Sequence, residues 1–180
     1  MADGDSMVLF GSDEHPWTQK DWTSSDDSVR GGKSISTITI TTPPSSSSSS
    51  SPIAIFAGTL DIKTLGGAGF ASQRTVDTHP PFDLSNFDAL VLTIHGSAHD
   101  SKRFTIVLKD GETIHRPDGR EQSSVSWEHD FTYPAVHDGL GGRVVLRFKD
   151  FRATYRGKEK GDAEPLDWRA VTRVGVMVRR

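Results

Sequence analysis

The chain has 180 residues, which is enough for one domain with its own hydrophobic core. Its net charge of −3 and pI near 6.1 give no global electrostatic reason to bind nucleic acid or an anionic membrane. The absence of cysteine excludes disulfides, thiolate catalysis and cysteine-ligated zinc or iron–sulfur sites.

The first residues are predicted to form an arm, and the rest of the chain a single domain. Residues 1–16 contain a short apolar patch at 7–10, a candidate for docking on the domain, which is predicted to span residues 17–180. Acidic residues precede the first basic residue, Lys20, whereas a mitochondrial presequence is rich in arginine and poor in acids. The N-terminus therefore has no recognisable presequence, and no run of about 20 apolar residues predicts a membrane span.

Two β-branched segments predict a hairpin. Residues 34–42 alternate in polarity, and residues 53–62 form the partner strand. Between them, residues 43–52 combine prolines with a run of serines that cannot bury apolar surface, so we expect a flexible loop. Because loop closure costs only about 0.6 kcal/mol per doubling of length, removing residues 45–51 should leave folding intact.

Residues 66–94 are predicted to be the centre of the fold. They begin with a glycine-rich segment, where the chain needs backbone freedom or close approach of another segment. Phe70, Ser72 and Arg74 then lie on one face of an extended strand. After a proline-marked loop, residues 87–94 form the most apolar alternating run of the chain, which is typical of a well-buried strand.

The second half of the chain predicts four more strands, at residues 102–109, 125–131, 143–148 and 172–178. Residues 156–165 are predicted to be a charged loop, and residues 166–171 one helical turn capped by Asp167. Many short strands with turn signals, and almost no helical periodicity, predict an all-β fold, specifically an antiparallel β-sandwich.

No residue pattern typical of an enzyme is found, so we expect neither catalytic residues nor enzymatic activity. The chain has no Gly-x-Ser-x-Gly nucleophile elbow. His95 and His99 have a metal-like interval, but they straddle a strand end without an acidic partner, so no metal site is predicted. The glycines near residue 66 lack a Walker lysine and a Rossmann context, and no cofactor is implied.

The arginines are the more informative polar residues. Arg74 lies on a mostly apolar stretch, which leaves open a buried hydrogen-bonded pair or a position on a ligand-facing surface. Arg103 and Lys109, together with Arg143 and Arg147, are candidates for one outward basic face, although a solvated charged face is the default explanation.

Several short motifs occur in an order that resembles one known family. Residues 69–74 read Gly-Phe-Ala-Ser-Gln-Arg, and residues 83–88 read Asp-Leu-Ser-Asn-Phe-Asp before an apolar strand. The flanking motifs are Trp22, Ser25-Asp26, Gly31-Gly32 and Ser34 upstream, and Phe148, Asp150-Phe151, Tyr155-Arg156-Gly157 and Val174-Gly175 downstream. In this order they resemble the complex I intermediate-associated protein family, the assembly factors of mitochondrial NADH:ubiquinone oxidoreductase.

The resemblance implies a jelly roll of the galactose-binding-like type. It also implies a non-enzymatic assembly factor or chaperone-like scaffold that binds protein partners, including complex I assembly intermediates. The resemblance places this function in the mitochondrion. Because no presequence is recognisable, the cytoplasm is the alternative. The candidate partner-binding residues are Arg74, Ser72, Arg103, Tyr155 and Arg156. The candidate structural motif residues are Gly31, Gly32, Gly69, Phe70, Asp83 and Gly157.

Two other functions are consistent with the sequence. A carbohydrate-binding module would use Trp127 and Tyr133 for stacking, although Trp127 shares a face with Phe131. An oxidoreductase-linked domain is a weaker alternative.

The resembled family continues into a closing strand beyond Val178, and without it we expect an open sheet edge, low stability or self-association.

Overall fold

A computed structural model describes residues 6–42, 51–95, 103–132 and 142–180. The predicted loop at 43–52 therefore lies almost wholly outside the described residues. The described strands are β1 (Trp22–Ser24), β2 (Ile35–Thr41), β3 (Ile53–Thr59), β4 (Phe70–Thr75), β5 (Ala89–Ile94), β6 (Arg103–Lys109), β7 (Ser126–Thr132), β8 (Gly142–Arg147), β9 (Arg152–Tyr155), β10 (Lys158–Glu159) and β11 (Arg173–Arg179). The described helices are short 3-10 turns, at Gln19–Asp21, Asp27–Arg30 and Phe148–Asp150.

One layer of the fold is a seven-stranded sheet in the order β1-β4-β11-β6-β7-β9-β10. Every neighbouring pair in it is antiparallel. The register places Gly175 of β11 opposite Arg74 of β4 on one side and Val107 of β6 on the other. The last strand of the chain is thus paired on both sides, near the middle of the sheet.

The second layer consists of two antiparallel pairs, β2–β3 and β5–β8. The hairpin packs on the large sheet through Gln73, whose side-chain amide donates to the carbonyl oxygen of Ser36 at 3.1 Å. Buried apolar residues fill the space between the layers: Leu84, Ile106, Leu108, Leu146, Phe151, Leu166, Val171 and Val174. The fold is therefore an antiparallel β-sandwich, as the alternation of short strands predicted.

The apolar patch near the N-terminus packs on the sandwich. Leu9 and Phe10 both contact the core cluster. The ring centroid of Phe10 lies 5.0 Å from that of Trp17, 5.2 Å from Trp22 and 5.6 Å from Phe82. Edge-to-face and offset aromatic contacts of this kind add to the area that the rings bury.

Two details of the sequence prediction were wrong, and a third was right only in part. The 87–94 run is not a well-buried central strand: β5 has no fully buried residue and belongs to the smaller layer, because only one of its faces meets the core. Residues 156–165 are not all loop, since β10 pairs with β9 in a tight hairpin. Residues 166–171 contain no helix, but Asp167 does cap a single hydrogen-bonded turn there. Its side chain accepts from the backbone N–H of Arg169 at 2.9 Å, and its carbonyl oxygen accepts from that of Ala170 at 3.1 Å.

Candidate functional site

The outer face of the seven-stranded sheet is lined by charged side chains and is called the charged face below. Residues directly opposite each other in an antiparallel ladder point to the same side, so the register assigns each strand's contribution. The charged face contains Arg74 on β4, Arg173 and Arg179 on β11, Arg103 and Lys109 on β6, Glu128 and Asp130 on β7, and Arg152 on β9.

Arg173 is the centre of an ion-pair cluster at one end of this face. Its side chain is 8% exposed and contacts Glu121 and, at 3.0 Å, Asp77. Arg74 reaches the same two carboxylates, at 2.9 Å from Asp77 and 3.4 Å from Glu121. Lys109 lies 3.7 Å from Glu121. The cluster therefore contains more cations than carboxylates in a half-buried position.

The cationic partners keep the carboxylates of this cluster ionised. The pKa of Asp77 is lowered: burial raises it, but a hydrogen bond from Thr113 and the two nearby arginines outweigh that effect. The pKa of Glu121 is lowered in the same way, against burial, by the hydrogen bond and charge of Arg173. Burial and Arg173 lower the pKa of Lys109, against the attraction of Glu121.

A second cluster occupies the other end of the charged face. Arg179 donates to Glu128 at 2.6 Å and lies 3.7 Å from one oxygen of Asp130. The hydroxyl of Thr105 donates to that same oxygen at 2.6 Å. Arg103, whose side chain is 70% exposed, lies 3.6 Å from the other oxygen of Asp130. Arg103 is therefore an accessible cation above a fixed carboxylate.

The predicted basic face that combined Arg103 and Lys109 with Arg143 and Arg147 is not a single surface. The first two residues lie on the charged face, where Lys109 is only 14% exposed. The other two lie on β8, in the second layer. Alternation assigned each residue to the outward side of its strand, but it carries no information about which sheet a strand joins.

The structure separates the predicted partner-binding residues into two groups. Arg74, Ser72 and Arg103 lie on the charged face. Tyr155 and Arg156 lie at the β9–β10 hairpin, four strands from β4, which corresponds to about 19 Å at the usual strand spacing. These residues therefore do not form one compact site.

Arg74 combines the two possibilities that the sequence left open. It lies on the outward charged face, yet its side chain is 14% exposed and ion-paired. Its Nε is buried and has no hydrogen-bond partner in the part of the chain that the structure describes. The neighbouring hydroxyl of Ser72 is occupied by a hydrogen bond to the carbonyl oxygen of Ser25, at 2.7 Å. The polar groups of Arg74 and Ser72 are therefore used mainly within the fold, and little of either is free to contact a partner.

Two buried carboxylates, Asp26 and Asp27, hold the N-terminal segment against the sandwich. Asp26 accepts hydrogen bonds from the backbone N–H groups of Ser36 and Ser72, at 2.9 and 2.8 Å. Asp27 accepts two from Ser34 and one from the backbone N–H of Phe70. Asp26 was predicted only as part of a motif, and Asp27 was not predicted. The available signal was a pair of acids followed by two glycines and small hydroxyl residues.

The motif glycines fit around Asp27. A Cβ on Gly32 would come 2.2 Å from the Asp27 Oδ1 atom, and a Cβ on Gly69 would come 2.3 Å from the carbonyl oxygen of Asp61. Gly31 has a φ of 82° and ends the 3-10 turn that carries Asp27. Close approach and a left-handed backbone angle therefore account for glycine at these positions.

The remaining predicted motif residues have local roles. The Phe70 ring lies under the guanidinium of Arg30, 5.6 Å from ring centroid to Cζ. Asp83 accepts hydrogen bonds from the backbone N–H and the hydroxyl of Ser85, at 3.0 and 2.6 Å. Gly157, with a φ of 76°, forms the β9–β10 turn.

Several alternative chemistries receive no support. Trp127, the sugar-stacking candidate, packs against the core cluster; Tyr133 and the metal candidate His99 lie outside the described residues. Within the ranges that the structure describes, no group of three or more His, Asp or Glu residues is placed to hold a metal ion. No helix in those ranges is long and apolar enough to cross a membrane.

Comparison with known proteins extends the motif resemblance to almost the whole chain. The model of one family, complex I intermediate-associated protein 30 (CIA30), matches residues 8–180. The uncharacterized protein C9E9.15 of Schizosaccharomyces pombe is 38% identical over 173 residues, which cover 96% of this chain and 74% of that protein. The family match includes both the buried Asp26–Asp27 pair and every strand of the charged face.

Proposed function

The chain belongs to the complex I intermediate-associated protein 30 family, and on that basis we propose that it is a non-enzymatic scaffold that holds a partner protein during assembly of respiratory complex I. The observation that carries this proposal is the family match over residues 8–180. The family's name describes association with an assembly intermediate, which is a binding activity and requires no chemical step.

The charged face is the surface that supports this role best. Arg103 is 70% exposed and lies 3.6 Å from Asp130, so its charge is accessible and lies next to a carboxylate. Asp130 is itself fixed by the hydroxyl of Thr105 and by Arg179. Charges whose positions are fixed before binding increase the specificity and the rate of association more than the raw affinity.

The balance of charge on this face indicates the chemistry of the partner. At one end, Arg74, Lys109 and Arg173 surround only two carboxylates. On the rest of the face, Arg103, Arg152 and Arg179 outnumber Glu128 and Asp130, so the face as a whole is positive although the chain has a net charge of −3. We expect the partner to present acidic side chains here, and we expect added salt to slow the association.

The five candidate residues have different roles in this proposal. Arg103 contacts the partner directly, because it is the accessible residue. Arg74 and Ser72 position the face from beneath, since their polar atoms are already engaged. Tyr155 and Arg156 form a separate contact at the β9–β10 hairpin, where Tyr155 is 39% exposed.

We propose that the protein acts in mitochondria, because the assembly intermediates of its family's complex are located there. The cytoplasm is the alternative location. Fractionation of cells that express the full-length tagged protein distinguishes the two, provided that the tag follows the C-terminus and leaves any N-terminal signal free.

The function is tested by replacing the endogenous protein with tagged parent, with Arg103→Glu, or with the matched control Arg120→Glu. Arg120 is also exposed, and its side chain makes no ion pair with the described residues. We expect complex I subunits to copurify with the parent and the control, and recovery with Arg103→Glu to fall about tenfold, since charge reversal also repels an acidic partner.

Each negative result has a separate meaning. If no complex I subunit copurifies with the parent, and native gels of cells lacking the protein show normal complex I, the assembly function is wrong. If Arg103→Glu melts like the parent and recovers the same subunits equally well, the function stands but the assignment of the charged face is wrong.

A further inference from the structure

The outer side of the second layer carries an apolar pair between two arginines. Val91 of β5 and Val145 of β8 lie directly opposite each other and are 44% and 55% exposed. Arg143 and Arg147 stand two residues before and after Val145, and therefore point to the same side of β8. This surface is called the valine–arginine face, and it consists of Ala89, Val91, Thr93, Arg143, Val145 and Arg147.

The two arginines have unmatched charge. Both are exposed, and neither takes part in an ion pair or a side-chain hydrogen bond with any described residue. The face contains no carboxylate to neutralise them. Arg103, Arg173 and Arg179 of the charged face, by contrast, all contact carboxylates. The valine–arginine face thus combines uncovered apolar area with positive charge that is not used within the described fold.

The outer backbone edges of β5 and β8 adjoin this face. Among the described residues, β5 and β8 pair only with each other. An outer strand edge presents a row of N–H and C=O groups that an extended segment of another chain can join, with alternate side chains then selecting the sequence that binds.

We propose that the valine–arginine face binds an extended segment of a partner protein in which an apolar side chain lies midway between two carboxylates four residues apart. Arg143 and Arg147 are themselves four residues apart on an extended strand, a separation of roughly 13 Å, and Val145 lies between them. A partner strand rises by the same amount per residue, so its acidic residues at the first and fifth positions meet the arginines. Its third residue then meets the valine pair.

A second copy of this chain is a poor occupant of the face. Two identical copies packed about a two-fold axis would bring Arg143 and Arg147 of one copy near the same arginines of the other. Like charges placed opposite each other across strands are destabilising. An acidic partner segment removes this repulsion and neutralises both charges.

An anionic membrane is also a poor occupant. Each basic residue near such a surface contributes only about 1 kcal/mol, and stable attachment takes a cluster of about four to eight of them. The face provides Arg143 and Arg147 only, and its apolar side chains are short valines instead of the aromatic residues that favour membrane interfaces.

The proposal concerns a surface on the other layer from Arg103, so it stands or fails independently of the charged face. The probe is a synthetic peptide with glutamate at its first and fifth core positions, valine at the third and threonine elsewhere, with a matched peptide that has glutamine for both glutamates. Binding to the 180-residue chain is followed by the NMR shifts of the Val91 and Val145 methyl groups.

We expect the acidic peptide to shift these methyl signals at millimolar concentration and the glutamine peptide to bind about tenfold more weakly, as two exposed ion pairs predict. Arg143→Glu/Arg147→Glu should lose binding of the acidic peptide. The control Lys20→Glu/Arg120→Glu, with the same change in net charge, should retain it. Thermal melts of both double variants should match the parent, because the four side chains are exposed.

Other results would overturn the proposal. Three results would show that the face does not bind acidic segments selectively. They are equal binding of the two peptides, shifts outside β5 and β8, and no binding at all. Binding to vesicles of phosphatidylcholine and phosphatidylserine that Arg143→Glu/Arg147→Glu abolishes would assign the face to a membrane. Dimerisation that the same substitutions abolish, measured by light scattering, would assign it to a second copy.

Discussion

The carboxylate of Asp27 accepts two hydrogen bonds from Ser34, at 3.0 Å from its backbone nitrogen and 2.7 Å from its hydroxyl oxygen. Asp27 is fully buried, and its second oxygen also accepts a hydrogen bond from the backbone N–H of Phe70 at 3.2 Å. One side chain therefore connects the N-terminal 3-10 turn to the start of β2 and to β4.

We predict that Asp27→Ala destabilises the protein by about 3 kcal/mol, because it leaves the buried donors of Ser34 and Phe70 without their charged acceptor. Urea unfolding followed by tryptophan fluorescence measures this difference. The control is Asp13→Ala, at an exposed position of the N-terminal arm. Equal midpoints for Asp27→Ala and the parent would show that the N-terminal segment does not depend on this carboxylate.

Gly32→Ala should be strongly destabilising for a steric reason. The added Cβ would lie 2.2 Å from Asp27 Oδ1, and that carboxylate cannot move without losing its hydrogen bonds to Ser34. We expect a cost of about 2 kcal/mol or more, typical of overpacking at a fixed site. The matched control is Gly161→Ala, where a Cβ meets no atom within 4 Å. A melting temperature for Gly32→Ala equal to that of Gly161→Ala would contradict this account.

The Arg173 cluster should make the free energy of unfolding depend on pH under acidic conditions. The pKa of Glu121 lies below its ordinary value of 4.5 in the folded protein, so its interactions contribute stability that is fully present above about pH 4.5. That stability is lost as the pH falls through the lower folded pKa. Glu121→Gln should therefore be less stable than the parent at neutral pH, with a difference that shrinks as the pH falls below about 4.5.

Urea midpoints of the parent and Glu121→Gln across this pH range test the prediction. The control is Glu112→Gln, which removes an exposed glutamate without affecting the cluster. Parallel curves for Glu121→Gln and the parent would mean that the protonation of Glu121 is not linked to folding.

Substitutions at the two residues of the β9–β10 turn should have opposite effects on stability. Arg156 and Gly157 both have positive φ, 52° and 76°, as a two-residue type I′ hairpin turn requires. Gly157→Ala should cost about 1 kcal/mol, whereas Arg156→Asn should stabilise by a few tenths of a kcal/mol, because asparagine tolerates this backbone region better than arginine.

Thermal melts of the two turn variants, with Gly161→Ala as control, check these signs. The Arg156 variant also separates its two proposed roles. If Arg156→Asn stabilises the hairpin but weakens copurification of complex I subunits, the arginine contacts the partner. If stability rises and copurification is unchanged, Arg156 is a turn residue alone.

The local part of the fold could be predicted from the sequence because side-chain direction in a strand alternates strictly. Alternation identified the segments of β2, β3, β6, β7, β8 and β11 and placed Ile106, Leu108 and Leu146 inward. It missed β1, β9 and β10, because strands of two to four residues are too short to show a period. The family could also be identified from the sequence, because it depends on the order of short motifs along the chain.

The sandwich class, the inward and outward sides of the strands and the family were thus determined by the sequence itself, since each depends on neighbouring residues or on their order. Only the tertiary structure decided which outward residues share a surface. It brought Arg74 to Glu121 and Arg173 across large separations in sequence, placed Arg143 on a different layer, and buried Asp27. Strand order and layer assignment arise from long-range packing, and a pattern read along the chain does not contain them.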